Sequence, residues 1–193
     1  QNDLNWCANY SATPPILAPN GVIDRKASLD DVAASNQITQ GRKFALFCAS
    51  AHPPNITGFL AMLGQGPGCF PPEARLVVAG SAGANLAHDG LSGSLQHQYI
   101  DAGEVTENIL CGLLETAHLI ILPITVGGGT NLKSAEAIWS GKHVVGTTVA
   151  MRGFEQFSNA PGVNVADDAS AFCEAMRLAL MRPGLSLSVQ ERE

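Results

Sequence analysis

Short apolar runs recur along the chain, each followed by small or polar residues and then by a longer amphipathic stretch. Phe44-Ala45-Leu46-Phe47-Cys48, Leu76-Val77-Val78-Ala79, Leu119-Ile120-Ile121-Leu122 and Val144-Val145 are apolar at consecutive positions rather than alternate ones. That is the pattern of strands buried on both faces. Strands are therefore predicted at Phe44–Cys48, Arg75–Gly80, Leu119–Leu122 and His143–Thr147, with shorter ones at Gln98–Ala102 and Val163–Ala166. Helices are predicted over Ile56–Leu63, from about Ala84, over Glu107–Ala117 and Thr130–Ser140, and from Ala169 to about Leu180. Ser28, followed by Asp30 and Asp31, reads as the N-cap of a further helix. Strands alternating with helices give an α/β fold, a Rossmann-like parallel sheet flanked by helices with right-handed crossovers. Ligands of such sheets bind beyond the carboxyl ends of the strands. The loops starting at Ser50, Gly80, Gly103, Gly127 and Thr147 are thus expected to share one face.

The ends of the chain are less regular. Residues 1–18 show no period and read as a linker ending in a short strand at Ile16–Ala18, with Pro19-Asn20-Gly21-Val22 as a tight turn. Residues 19–182 form the predicted domain. Residues 183–193, with Pro183-Gly184 and mostly polar neighbours, read as a loosely ordered tail. No internal repeat or low-complexity segment interrupts this order.

Composition narrows the picture. The 193 residues suffice for one domain with a substantial core, and 46% are hydrophobic. Only 15% are charged and Gly occurs 20 times, which suits buried parallel strands and glycine loops. A net charge of −6 with 11 Lys and Arg makes nucleic acid a poor partner. Cys7, Cys48, Cys69, Cys111 and Cys173 lack metal-ligand spacing and are odd in number. They read as reduced, pointing to a cytoplasmic protein, with any membrane contact left to a domain the chain lacks. No apolar run is long enough to cross a bilayer. The chain starts without Met or a leader, so its first residue reads as a boundary within a longer protein.

The candidate chemistry lies at Gly127-Gly128-Gly129-Thr130-Asn131-Leu132-Lys133-Ser134-Ala135-Glu136-Ala137, between a strand and a helix. A glycine loop opening onto a helix N-terminus binds anions, because free backbone N–H groups and the positive end of the helix dipole point the same way. With Thr130 as N-cap, Lys133 and Glu136 project from nearly the same side, while Leu132, Ala135 and Trp139 pack on the sheet. N–H groups from Gly128 to Asn131 would collect a phosphate, Lys133 would add a point charge, and Glu136 suits a vicinal diol such as a ribose. The bland alternative is a plain turn with a surface Lys–Glu pair. Other signals are weaker. Gly80-Ser81-Ala82-Gly83 with Asp101 lacks the spacing of a dinucleotide fingerprint. His88, His97, His118 and His143 show no metal-ligand spacing, and no Asp-x-Asp triplet occurs.

Taken in order, these pieces resemble the C-terminal, nucleotide-sugar-binding domain of GT-B glycosyltransferases, group 1, of the retaining family 4 type. Pro19-Asn20-Gly21-Val22 follows the place of the interdomain linker. Phe47 to Asn55 resembles the family's F-x-G-S-x-H-P-P-N variant, Leu76 to Gly80 its L-x-x-x-G strand, and Gly103-Glu104-Val105 its G-x-V turn. Leu122-Pro123 through Glu136-Ala137, then Gly141-Lys142-His143-Val144-Val145-Gly146-Thr147-Thr148, resembles its L-P…G-T-x-L-K-x-x-E-A…G-K-x-V-V-x-T block.

The resemblance implies one half of a GT-B fold that binds a nucleoside diphosphate sugar as donor substrate, with no further cofactor and no metal. It implies Glu136 on the ribose hydroxyls, Gly127, Gly128, Gly129 and Thr130 at the diphosphate and sugar, and Lys133 neutralising the diphosphate. Val105 would lie near the base, and Ser50 and His52 would face the phosphates. The family pattern is departed from at three places. Gly128 stands where many relatives carry a sugar-binding glutamate, Ala49 to His52 where many carry Arg and Lys, and Asn131 where close relatives carry Arg. The implied reaction moves a sugar to an acceptor held by an N-terminal domain absent from this chain, so the chain alone is expected to bind nucleotide without efficient turnover. A nucleotide-sugar epimerase half and a degenerate, non-catalytic interaction domain remain the alternatives.

Overall fold

A computed structural model describes residues 7–11, 13, 21–64, 70–88, 93–128 and 131–192. Among them, six strands form one parallel sheet in the order β3-β2-β1-β4-β5-β6. The strands are β1 (Phe44–Cys48), β2 (Arg75–Ala79), β3 (Tyr99–Gly103), β4 (Leu119–Leu122), β5 (His143–Gly146) and β6 (Val163–Val165). The principal helices are α1 (Leu29–Thr39), α2 (Pro53–Leu63), α3 (Ala82–His88), α4 (Glu107–Thr116), α5 (Leu132–Trp139) and α6 (Ala169–Met181). This is the expected Rossmann-like α/β fold. The strand predicted at Ile16–Ala18 falls outside the described residues.

The consecutive apolar positions divide between two cores, as pleating requires. Ala45, Phe47, Leu76, Val78, Leu119 and Ile121 point to one face, where Phe59 and Leu63 of α2, Leu86 of α3 and Phe172 and Met176 of α6 cover them. Phe44, Leu46, Val77, Ile120, Leu122 and Val144 point to the other, against Leu113 of α4 and Ala137 of α5. Helix α1 packs on α4, where Gly112 comes so close to the Asp31 carbonyl that a Cβ would lie 2.2 Å from it. Ser28 caps α1 as predicted, its hydroxyl accepting from Asp31 N–H while the Asp31 carboxylate accepts from Ser28 N–H.

Several boundaries differ from expectation. Helix α2 starts at Pro53 rather than Ile56, because prolines at the first two helical positions forgo only N–H groups that would lack helical partners. Helix α5 is capped by Asn131 rather than Thr130, which lies outside the described residues. Residues 183–192, expected as a tail, fold back on the end of α5. Cys173 is disulfide-bonded, against the expectation of five reduced cysteines, whereas Cys7, Cys48 and Cys111 are free thiols. Among the described residues, no helix is long and apolar enough to cross a membrane, and no cluster of three potential metal ligands occurs.

Candidate functional site

The strand order steps outward from β1 to β3 on one side and from β4 to β6 on the other. The crossovers therefore diverge between β1 and β4, and the loops after these two strands flank a crevice at the carboxyl edge. The β1 loop is locked to its neighbour: Ala82 N–H donates to the Ala49 carbonyl at 3.1 Å, and Ala51 N–H to Ser81 Oγ at 3.0 Å. This leaves Ser50 and His52 exposed at the edge.

The β4 loop is pinned at its base. Thr147 Oγ1 donates to the Ile124 carbonyl and Thr147 N–H to the Leu122 carbonyl. Helix α2 approaches it so closely that a Cβ on Gly58 would lie 2.1 Å from the Pro123 carbonyl oxygen. Beyond this anchor the loop faces open space, with Val126, Gly127 and Gly128 all exposed. Among the described residues, a Cβ on Gly127 or Gly128 would meet no atom within 4 Å, and Gly127 has φ +143°. Gly129 lies outside the described residues.

Asn131 then turns the chain into α5. Its Oδ1 accepts from Lys133 N–H at 3.2 Å, while its Nδ2 is buried without a hydrogen-bond partner among the described residues. A buried amide donor without a partner, beside a helix N-terminus, suits an acceptor-rich ligand. Ser134 Oγ donates to the Ala150 carbonyl at 2.5 Å, and with the buried Ala135 and Ala137 it seats the helix. Leu132 does not pack on the sheet as expected. It is 53% exposed, because a helix starting after Asn131 points its first residue away from the core.

Lys133 and Glu136 of α5 have different surroundings. Lys133 leans into the crevice, where its Nζ donates to Asn55 Oδ1 at 2.9 Å. Asn55 Nδ2 donates in turn to the Ser50 carbonyl at 2.9 Å and to Ser50 Oγ at 3.3 Å. A single network thus spans α5, α2 and the β1 loop. Burial lowers the Lys133 pKa, opposed by Cys48 and Glu136. Burial also pushes the Cys48 thiol up to about 12, with Glu136 adding to the rise, so this cysteine stays protonated and is no nucleophile.

Glu136, one turn on, is exposed and lines a groove of about 300 Å³ between α4 and α5. Leu110, Cys111 and Leu114 of α4 and Leu132 and Trp139 of α5 supply its apolar walls. The segment Gly21–Arg25 lies across it, tied by Arg25 Nη1 to Glu107 at 2.5 Å and by Trp139 Nε1 to Asp24 Oδ1 at 3.1 Å. The volume is that of a small-ligand site. Val105 does not line this groove; it packs half-buried against the core. The fold thus joins Ser50 and Lys133 through Asn55 and puts Leu132 and Glu136 in the adjoining groove, leaving His52 exposed at the edge. Sequence reasoning passed over Asn55, Arg25, Leu110 and Trp139 as site residues. Only Asn55 carried a signal, as the last residue of the Pro-Pro-Asn motif.

The family model described as "Glycosyl transferases group 1" matches residues 42–182. No curated protein matches the chain. Among solved structures, Anabaena HepE in complex with UDP and glucose is similar with a TM-score of 0.62 at 15% identity, over 81% of this chain and 44% of that one. Sucrose-phosphate synthase from Thermosynechococcus elongatus has a TM-score of 0.60 at 19% identity, over 80% and 40%. A UDP-forming trehalose-phosphate synthase from Burkholderia xenovorans, in complex with glucose-6-phosphate, has a TM-score of 0.56 at 15% identity, over 85% and 40%. The chain spans less than half the length of these structures.

Proposed function

The chain belongs to the group 1 glycosyl transferases, and from that premise we propose that it is the donor-binding part of a retaining glycosyltransferase. The reaction transfers a sugar from a nucleoside diphosphate sugar to an acceptor hydroxyl. The bond from the anomeric carbon to the diphosphate breaks, a carbon–oxygen bond to the acceptor forms on the same face, and the acceptor proton is released. This chain stabilises the leaving group. Negative charge developing on the diphosphate meets the N-terminus of α5, the Asn131 amide and Lys133.

The observation that carries this reading is the placement of two unlike groups on one helix. Lys133 is held toward the crevice by Asn55, and Glu136 lines a groove large enough for a nucleoside. A cation beside a helix N-terminus suits phosphate, and an exposed carboxylate one turn on suits a ribose diol. The complex of the structurally similar HepE with UDP and glucose supports the same ligand class. The acceptor and the rest of the active site are assigned to an N-terminal domain of the same enzyme.

Calorimetric titration with UDP, GDP and ADP tests the proposal. At least one is expected to bind the wild-type chain, and Glu136→Ala is expected to weaken that binding about tenfold or more, the loss of one hydrogen bond to a charged group. Failure of a folded wild-type chain to bind any of the three contradicts the donor-site reading.

A further inference from the structure

Helix α5 ends with carbonyls that lack helical partners, and no basic residue in its own last turn meets them. A cation from the end of the chain does. Arg192 Nη1 donates to the Trp139 carbonyl at 2.7 Å, and its Nε donates to the Leu187 carbonyl at 2.7 Å. The guanidinium also lies over the Trp139 ring, 5.9 Å from its centroid, within reach of a cation–π contact.

The segment leading to Arg192 is built for this position. His143 Nε2 donates to the Pro183 carbonyl at 3.0 Å, and Leu187 N–H to the Gly141 carbonyl at 3.1 Å. Ser188 N–H and Oγ both donate to the Glu191 carboxylate, capping the short turn that carries Arg192. Gly141 has φ +67°, and a Cβ there would lie 2.7 Å from Arg192 Nε and 3.0 Å from Leu187 N. Only a residue without a side chain lets the segment seat this closely.

These contacts reach the candidate nucleotide site. Trp139 follows Glu136 by three residues, about one helical turn. Trp139, Arg192 and Asp24 line the same groove as Glu136. The indole is held from two sides, by Arg192 over its ring and by Asp24 on its N–H. We propose that Arg192 is a positioning residue for nucleoside recognition: the C-terminal segment clamps the end of α5, which fixes Trp139 as a wall for the base and aims Glu136 at the ribose. The inference rests on the donor-site reading. Arg192 is bound to the Trp139 and Leu187 carbonyls, at the opposite end of α5 from Lys133, so its effect is expected at the nucleoside end of the ligand.

The test uses the full chain with Arg192→Ala and Arg192→Lys. Affinities are measured for the nucleoside diphosphate that binds best and for inorganic pyrophosphate, alongside hydrogen exchange of the amides at 137–141. Arg192→Ala is expected to weaken the nucleoside diphosphate about tenfold, leave pyrophosphate within twofold, and speed exchange at the end of α5. Arg192→Lys keeps a cation but not the forked geometry, and recovers part of the loss. If the wild type binds and Arg192→Ala binds equally well, or loses both ligands equally, the inference is overturned while the donor site stands. If the wild type binds pyrophosphate but no nucleoside diphosphate, the donor-site reading and this inference fall together.

Discussion

Replacing Asn55 by Ala removes the acceptor of the Lys133 ammonium and the donor to Ser50 in one step. Asn55 is only 8% exposed, so water does not readily replace it. A hydrogen bond to a charged group contributes about 1.5–3 kcal/mol and a neutral one about 0.5–1.5 kcal/mol. Asn55→Ala is therefore expected to destabilise the fold by about 2–4 kcal/mol, allowing for the bond to the Ser50 carbonyl at 2.9 Å and the longer one to its hydroxyl. Lys133→Met removes the charge together with its bond and should cost about 1 kcal/mol, because no desolvated ammonium remains. In the double variant the cost of losing Asn55 shrinks, with a coupling of about 1–2 kcal/mol once the partial exposure of Lys133 is discounted. Urea unfolding of the four proteins measures it, and the matching shift in Tm is about 2–4 °C per kcal/mol for a domain of this size. A coupling below about 0.3 kcal/mol refutes the claim that Asn55 holds Lys133 in the crevice.

Gly58→Ala drives a methyl into the Pro123 carbonyl; it is expected to destabilise by about 1–3 kcal/mol and to weaken nucleotide binding by displacing the β4 loop, as calorimetry on the refolded variant would show. Ser28→Ala breaks the capping box of α1 and should cost about 1 kcal/mol in chemical denaturation without altering nucleotide affinity. His118 is held below its ordinary pKa of 6.5 by burial and by the nearby charges of Lys43 and His143, against its hydrogen bond to the Ala179 carbonyl. The folded protein thus takes up fewer protons there than the unfolded chain. The contribution of His118 is complete above pH 6.5 and is lost as pH falls toward its folded pKa. Denaturant midpoints between pH 8 and pH 5.5 should fall less steeply for His118→Gln than for wild type; equal slopes would remove His118 from the acid response.

The strands β1 and β4 were legible to the residue, because both faces of an inner parallel strand are buried and nothing polar blurs a continuous apolar run. The helix starts were less so. Pro53 and Pro54 read as loop residues, yet they fit the first turn of α2. Thr130 and Asn131 are both able caps side by side, and Leu132, expected inside with Ala135, stands 53% exposed because it is the first residue of α5 and lies short of the core that Ala135 reaches. Of the site, Lys133 and Glu136 follow from their spacing beyond the glycine loop. Asn55 is separated from Lys133 by 78 residues and Arg192 from Trp139 by 53, so their contacts exist only once the sheet order is set. The docked C-terminal segment was invisible for the same reason: its polar residues satisfy carbonyls of a distant helix end rather than solvent.

The central claim is that Glu136 reads a ribose diol while α5 and Lys133 hold the diphosphate. It is tested most directly by comparing a nucleoside diphosphate with its 2′,3′-dideoxy counterpart on wild type and on Glu136→Gln. Hydrogen bonds to the carboxylate at about 1.5–3 kcal/mol predict that the wild type prefers the diol by about 10- to 100-fold. Glu136→Gln should lose most of that preference while binding the dideoxy ligand as the wild type does. A wild type that binds both ligands equally, or a preference that survives in Glu136→Gln, would contradict the account.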